Sequence, residues 1–148
     1  FFTYLLPAGA LHDIAAGAQH VLFLTDLGIF VLGSSTYGQL GLGPTYRRTR
    51  LPAPINEFCI TNENYVKIVK IACGSYHSLA ISEQGNLYAW GWALHGQIGN
   101  GNNEDVFVPQ RIDFFDGKHV VNASAGYSHT IGKFIIQNFG GLFCIYEN

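Results

Sequence analysis

The chain has 148 residues, of which 48% are hydrophobic, 14% aromatic and 12% charged, so its length suits one domain with a buried core. The net charge of −2 offers no basic surface to a phosphate backbone, and we therefore expect no nucleic-acid partner. No stretch approaches the roughly 18 uninterrupted apolar residues of a membrane helix, so we expect no membrane partner either.

The first predicted unit begins with the apolar segment LHDIAAG, which ends at Gly17 and leads through Ala18 and Gln19 to His20. Two almost continuously apolar runs follow, VLFL and IFVL, and TDLG joins them. Such runs predict a β-hairpin that is covered on both faces. The glycine-rich segment YGQLGLG at 37–43 then predicts a tight connection.

The second unit repeats the first, since His77 stands 57 residues after His20. The apolar segment IVKIACG ends at Gly74, and the runs SLAI and LYAW form the second predicted hairpin. HGQIGNG at 95–101 then matches YGQLGLG. Further glycines match in pairs, with Gly28, Gly33, Gly38, Gly41 and Gly43 in the first unit and Gly85, Gly91, Gly96, Gly99 and Gly101 in the second.

The third unit starts with VVNASAG, which ends at Gly126, and His129 stands 52 residues after its counterpart in the second unit. Beyond Thr130 the pattern weakens, and two interpretations stay open. Residues 131–148 either form a degenerate hairpin, with GLFCI in the place of NLYAW and three extra residues, or are foreign sequence from translation past a splice junction near residues 132–133.

This repetition predicts an all-β fold in which small sheets are stacked around an axis, as in a β-propeller. We divide the single partial domain, 1–148, into units at about 11–58, 68–115 and 119–148, the third degenerate or truncated.

The succession of G-x-x-H, an apolar hairpin and G-Q-[LI]-G resembles the repeats of the regulator of chromosome condensation family. The resemblance implies a seven-bladed propeller, in which each sequence repeat donates strands to two neighbouring blades. Of such a propeller this chain should form an arc of about two and a half to three blades. The end blades of an arc carry unpaired strand edges, which favour aggregation. The rest of that propeller would come from a longer parent chain, and the absence of methionine likewise indicates an excerpt or a processed product. The motif residues are Gly17, His20, Gly38, Gly41, Gly74, His77, Gly96, Gly99, Gly126 and His129.

The repeated histidines, His20, His77 and His129, are candidates for metal ligands or general bases. Equivalent positions on successive blades do not converge, however, as the ligands of a metal ion must. We therefore expect each imidazole to have a structural role, with a hydrogen bond to backbone at the edge of its blade. The three cysteines lack C-x-x-C spacing, which indicates a reducing intracellular compartment, cytoplasmic or nuclear.

Two groups of residues are candidates for contact with a partner. Trp92, with Leu94 and His95 beside it, would form an aromatic contact patch if exposed. The basic segment RRTR, with Arg47, Arg48 and Arg50, is either a solvated loop or a contact for an acidic surface. A light-sensing branch of the family carries tryptophan directly after the glycine of G-x-x-H, where this chain has Ala18, Ser75 and Tyr127, so photoreception is unsupported.

Repeats without a catalytic constellation favour a non-enzymatic scaffold that binds a protein partner through propeller loops. Ser78 directly follows His77, so on a strand the two side chains point to opposite faces and do not form a nucleophile and base pair. We expect no catalytic residue, no cofactor and no metal. The resemblance implies an alternative function, a guanine-nucleotide exchange factor or regulator for a small GTPase.

Overall fold

The computed structural model describes residues 9–136 and 139–145, and three antiparallel sheets account for most of them. Blade 1 contains, in spatial order, β1 (Leu11–Ala16), β2 (His20–Thr25), β3 (Gly28–Ser34) and β4 (Arg48–Pro54). Blade 2 contains β5 (Ile68–Cys73), β6 (His77–Ser82), β7 (Leu87–Gly91) and β8 (Val106–Arg111). Blade 3 contains β9 (His119–Ala125), β10 (Thr130–Ile136) and β11 (Phe139–Ile145).

Both predicted hairpins form where the apolar runs lie. β2 pairs with β3 from His20↔Gly33 to Thr25↔Gly28, and all six residues of β6 are buried, as runs covered on both faces require. Gly33 has a φ of +120°, and a Cβ there would lie 2.2 Å from the carbonyl oxygen of Gln19. Only glycine fits this close approach of two backbones, which confirms the all-β prediction at its hairpins.

Short 3-10 turns carry the chain from one blade to the next, at Asn56–Phe58 and Asp113–Phe115. Phe58 packs against Tyr88 of blade 2, with ring centroids 5.2 Å apart. Phe115 packs against Phe143 of blade 3, with ring centroids 4.4 Å apart. Each inserted phenylalanine joins an apolar core between neighbouring blades, so the blades are held together mainly by burial of hydrocarbon.

Beyond the motif of the third unit, Thr130–Ile136 and Phe139–Ile145 form the β10–β11 hairpin, with pairs from Thr130↔Ile145 to Ile136↔Phe139. The segment GLFCI therefore lies on β11, where the hairpin interpretation puts it. The division of the chain into repeat units stays a prediction. Among the described residues, no helix is long and apolar enough to span a membrane.

The basic segment differs from the expected solvated loop, because Arg48 and Arg50 lie on β4 at the outer edge of blade 1. Two prolines, Pro52 and Pro54, lie in the same strand. An edge strand tolerates proline, since a nitrogen that faces away from the sheet needs no partner strand. The loop prediction was therefore wrong for these two arginines.

Candidate functional site

The motif histidine of blade 1 reaches across to blade 2. Its Nε2 lies 2.9 Å from the hydroxyl oxygen of Ser78, and that hydroxyl donates to the carbonyl oxygen of Gln39 at 2.8 Å. Because the serine proton is used in this second bond, His20 donates from Nε2. The partner of His20 is therefore a side-chain hydroxyl on the next blade, where we had expected backbone.

The same arrangement recurs one blade further. His77 Nε2 lies 3.0 Å from Oγ1 of Thr130, which donates to the carbonyl oxygen of Gln97 at 2.9 Å. Burial lowers the pKa of both His20 and His77 to about 4, so both rings are uncharged at neutral pH. These two histidines join blades and are not general bases at an open site.

The motif glycines make room for these rings. A Cβ on Gly74 would lie 2.2 Å from Cε1 of His77 and 2.5 Å from the carbonyl oxygen of Gly126. Gly17 has the same relation to His20. His129, the third motif histidine, is exposed, and blade 3 is the last blade in the described part of the chain.

Among the described residues, no group of three or more His, Cys, Asp or Glu residues is placed to hold a metal ion. Cys59, Cys73 and Cys144 are free. Burial raises the pKa of Cys73 to about 12, so it stays a thiol and is a poor nucleophile.

Five rings from the loops of three blades form one continuous cluster, which we call the aromatic surface. It consists of Tyr37, Tyr76, Trp92, His95 and Tyr127. The centroid of Trp92 lies 5.8 Å from that of Tyr37, 5.9 Å from Tyr76, 5.8 Å from Tyr127 and 5.0 Å from His95. Most of these contacts are edge-to-face, the arrangement that aromatic quadrupoles favour.

The turns of the G-Q-[LI]-G motif position two of these rings. The Gln39 side chain accepts a hydrogen bond from the backbone N–H of Tyr37, at 2.9 Å. The Gln97 side chain accepts from the N–H of His95 at the same distance. Both glutamines are fully buried, so each turn is anchored to the blade and holds its ring in one place.

The aromatic surface is partly exposed to solvent. Tyr127 is 62% exposed, while Trp92 and Tyr76 are half-buried. Leu94 lies between Trp92 and His95 in the sequence and is 54% exposed. The predicted contact patch around Trp92 thus lies within a larger surface than the sequence suggested.

The arginines are divided between two places. Arg47 donates to the carbonyl oxygen of Thr36 at 3.2 Å, beside the aromatic surface, and its guanidinium lies 5.8 Å from the ring of Phe107. Arg48 and Arg50 instead line a cleft on blade 1 together with Gln19. Arg47 therefore has different neighbours from Arg48 and Arg50.

The three tyrosines of the aromatic surface were not predicted from the sequence, although it contains a signal for them. Tyr37 and His95 hold the same place before G-Q-[LI]-G, and Tyr76 and Tyr127 hold the variable positions of G-x-x-H. Large aromatic residues at variable loop positions of a repeat indicate a surface role. That these rings converge on Trp92 follows only from the packing of the blades, which the sequence does not show.

Comparison with known proteins identifies the repeat. The sequence model described as "Regulator of chromosome condensation (RCC1) repeat" matches residues 28–81 and 84–132, and a second RCC1 repeat model matches residues 68–97. Among curated proteins, Ultraviolet-B receptor UVR8 of Arabidopsis thaliana is 36% identical over 132 residues, which are 85% of this chain and 29% of that protein. Regulator of chromosome condensation of Drosophila melanogaster is 34% identical over 124 residues, which are 82% of this chain and 22% of that protein.

A third relative is the X-linked retinitis pigmentosa GTPase regulator homolog of Caenorhabditis elegans, 34% identical over 128 residues, which are 84% of this chain and 9% of that protein. The chain thus spans less than a third of the length of each of these relatives.

Solved structures show the same fold. Human WBSCR16 matches with a TM-score of 0.71 and 27% identity, over 84% of this chain and 31% of that one. Prp20p of Saccharomyces cerevisiae matches with a TM-score of 0.72 and 24% identity, over 97% of this chain and 33% of that one. These matches confirm the predicted arc of a β-propeller. With its two matched repeats covering more than half of its residues, the chain belongs to the regulator of chromosome condensation (RCC1) repeat family.

Proposed function

We propose that the chain is a non-enzymatic interaction scaffold that binds a protein partner through the loops at one end of its blades. The aromatic surface carries this proposal, because tryptophan and tyrosine supply much of the binding energy of protein interfaces. Trp92 is its centre, with four rings within 6 Å of its own. A partner that covers Tyr127 and Leu94 would bury the most exposed apolar area there.

Preorganisation of the rings supports the same function. Ring contacts link Tyr37, Tyr76 and Tyr127 to Trp92, so these side chains have little rotamer freedom left to lose when a partner binds. The buried Gln39 and Gln97 fix the turns below them. The surface belongs to loops on a rigid scaffold, the usual place for binding residues.

A regulator of a small GTPase, acting as a nucleotide exchange factor, is the second candidate. One relative favours it by name, the X-linked retinitis pigmentosa GTPase regulator homolog of Caenorhabditis elegans. The partner of the aromatic surface would then be the GTPase itself. An intracellular site of action, cytoplasmic or nuclear, belongs to both candidate functions.

The test uses the 148-residue chain as bait in cell extract, followed by direct binding of each purified candidate partner. Trp92→Ala should weaken the direct binding about tenfold or more, as at an interface hot spot. Leu51→Ala is the matched control, because Leu51 is 62% exposed on β4, outside the aromatic surface. Equal binding by the chain and its Trp92→Ala variant would contradict the proposal.

A nucleotide-release assay separates the two candidate functions. Any GTPase among the purified partners is loaded with fluorescent guanine nucleotide and mixed with catalytic amounts of the chain. Accelerated release supports the exchange factor and contradicts a pure scaffold. Binding without accelerated release, or partners that include no GTPase, contradicts the exchange factor.

A further inference from the structure

A groove lies between the outer strands of blades 1 and 2. Blade 1 contributes Tyr46 from its loop, Pro54 of β4 and Glu57 of the 3-10 turn. Blade 2 contributes Val108 and Pro109 of β8. The volume of the groove is about 390 Å³, which falls in the range of small-ligand sites, roughly 300–1,000 Å³. We call it the outer groove, and it is large enough to hold a side chain of a partner.

The walls of the outer groove are mainly apolar and partly exposed. Tyr46 is 52% exposed and Val108 is 54% exposed. Pro54 and Pro109 present rigid rings, which have no rotamer freedom to lose when a partner binds. Exposed tyrosine and aliphatic side chains around a depression are typical of the centre of a protein interface.

Glu57 is the only charged residue among the described residues that line the outer groove. Its side chain is half-buried, and burial raises the pKa of its carboxyl group. Within 9–136 and 139–145, no side chain forms an ion pair with it. Arg111 on β8 is bound instead by Asp113 at 3.2 Å and Asp116 at 2.9 Å. A half-buried carboxylate without a cation is stabilised by a cation from a partner.

Comparison of the two repeats shows that the fold does not require an acid at this position. Phe58 and Phe115 are the same in both units and are buried between blades. The preceding residue is Glu57 in the first unit and Phe114 in the second, although both lie in 3-10 turns of the same length. The carboxylate is therefore specific to the outer groove and is not a common feature of the turn.

The second turn carries a cation from the chain itself. Nζ of Lys118 lies 3.8 Å from the ring centroid of Phe114 and donates to the carbonyl oxygen of that residue at 3.0 Å. In the first turn the carbonyl oxygen of Glu57 accepts from the backbone N–H of Val66, at 2.8 Å. Val66 brings no charge, so the turn that has the carboxylate lacks the cation that the other turn has.

Arginine fits the outer groove better than lysine. A planar guanidinium can donate to both oxygens of the Glu57 carboxylate and can stack on the ring of Tyr46. It is also less strongly hydrated than an ammonium group, so it loses less when it approaches a half-buried acid. The apolar walls suit the methylene stem of the side chain and apolar residues on either side of it.

We propose that the outer groove is a docking site for an extended segment of a protein partner that carries an arginine between apolar residues. The guanidinium of that arginine pairs with Glu57. The flanking apolar residues contact Tyr46 and Val108. The outer groove shares no residue with the aromatic surface, so this proposal does not rest on the function proposed above.

The probes are capped tripeptides of the form Ac-X-Arg-Z-NH2, with every combination of Val, Leu, Pro and Tyr at X and Z. Each is titrated into the whole isotope-labelled chain, and backbone amide shifts are followed by NMR. Peptides that bind should shift the amides of Glu57 and Val108 and leave that of Tyr127 unchanged. Absence of shifts with every peptide, or shifts at Tyr127 without shifts at Glu57, would overturn the proposal.

Two matched changes test the ion pair in the tightest of these peptides. Citrulline keeps the shape of arginine without its charge, and Glu57→Gln does the same for the acid. Each change should weaken binding about tenfold, and the two together should weaken it little further, because they remove the same contact. Glu63→Gln, at an exposed position outside the outer groove, should change binding less than about twofold. Equal dissociation constants for Glu57→Gln and Glu63→Gln would contradict the pairing with Glu57.

Discussion

His77 on blade 2 donates a hydrogen bond from Nε2 to Oγ1 of Thr130 on blade 3, and the two atoms are 3.0 Å apart. The pair His20 and Ser78 makes the equivalent bond between blades 1 and 2. In each blade this position directly follows the motif histidine. It is occupied by Ser78 in blade 2 and Thr130 in blade 3, and by Val21, which has no hydroxyl, in blade 1. The motif histidine of one blade therefore bonds to the following blade through a single hydroxyl group.

Thr130→Val tests this contact between blades. The change keeps the shape of the side chain but leaves the N–H of His77 and the carbonyl oxygen of Gln97 without their buried partner. We expect the free energy of unfolding, measured by urea titration, to fall by about 2–3 kcal/mol. Thr45→Val, at an exposed position, is the control and should be close to neutral. Equal stability of the two variants would show that the hydroxyl does not join the blades.

The pKa values of His20 and His77 predict a loss of stability in mild acid. Burial lowers both pKa values from 6.5 to about 4, so the unfolded chain binds protons below pH 6.5 that the folded chain excludes. The stabilisation is complete above pH 6.5 and is lost progressively as the pH falls toward 4. It amounts to at most on the order of 3 kcal/mol for each ring.

Urea titrations at pH 7 and pH 5 measure this effect. The midpoint should fall between the two, and His77→Gln, which removes one of the buried titrating groups, should make the fall smaller. A midpoint that does not change between pH 7 and pH 5 would contradict the assignment of both rings as buried and neutral.

Gly74→Ala tests the fit of the motif glycine against the histidine ring. The added methyl would lie 2.2 Å from Cε1 of His77 and 2.5 Å from the carbonyl oxygen of Gly126, and backbone on one side prevents relief by rotation. We expect a loss of about 2 kcal/mol or more, the usual cost of overpacking. Gly140→Ala is the control, because its nearest neighbour, a carbon of Lys133, is 3.7 Å away. Equal changes in the thermal unfolding temperature of the two variants would contradict a close fit between Gly74 and the ring of His77.

The hairpins and the motif glycines could be predicted from sequence because their cause is local. Continuous apolar runs predict doubly covered strands, and the four central strands lie where those runs are, β2 and β6 among them. The repeat spacing then marks glycines such as Gly74, at which any side chain would collide with the motif histidine.

The contacts between blades could not be predicted, because they depend on which side chains face each other across two sheets. The hydroxyl partner of His20 lies 58 residues further along the chain, where a backbone partner had been expected. The edge position that lets β4 contain Pro54 is likewise a property of the sheet as a whole. The convergence of Tyr37 and Tyr127 on Trp92 is a third case.

The most direct test of the interaction scaffold is the dissociation constant of a purified partner for the chain and for two variants. We predict that Tyr127→Ala weakens binding about tenfold, because it removes the most exposed ring of the aromatic surface, while Leu51→Ala changes it less than about twofold. Circular dichroism would check that both variants keep the β signal of the chain. Tyr127→Ala and Leu51→Ala with the same dissociation constant as the unaltered chain would contradict the role of the aromatic surface.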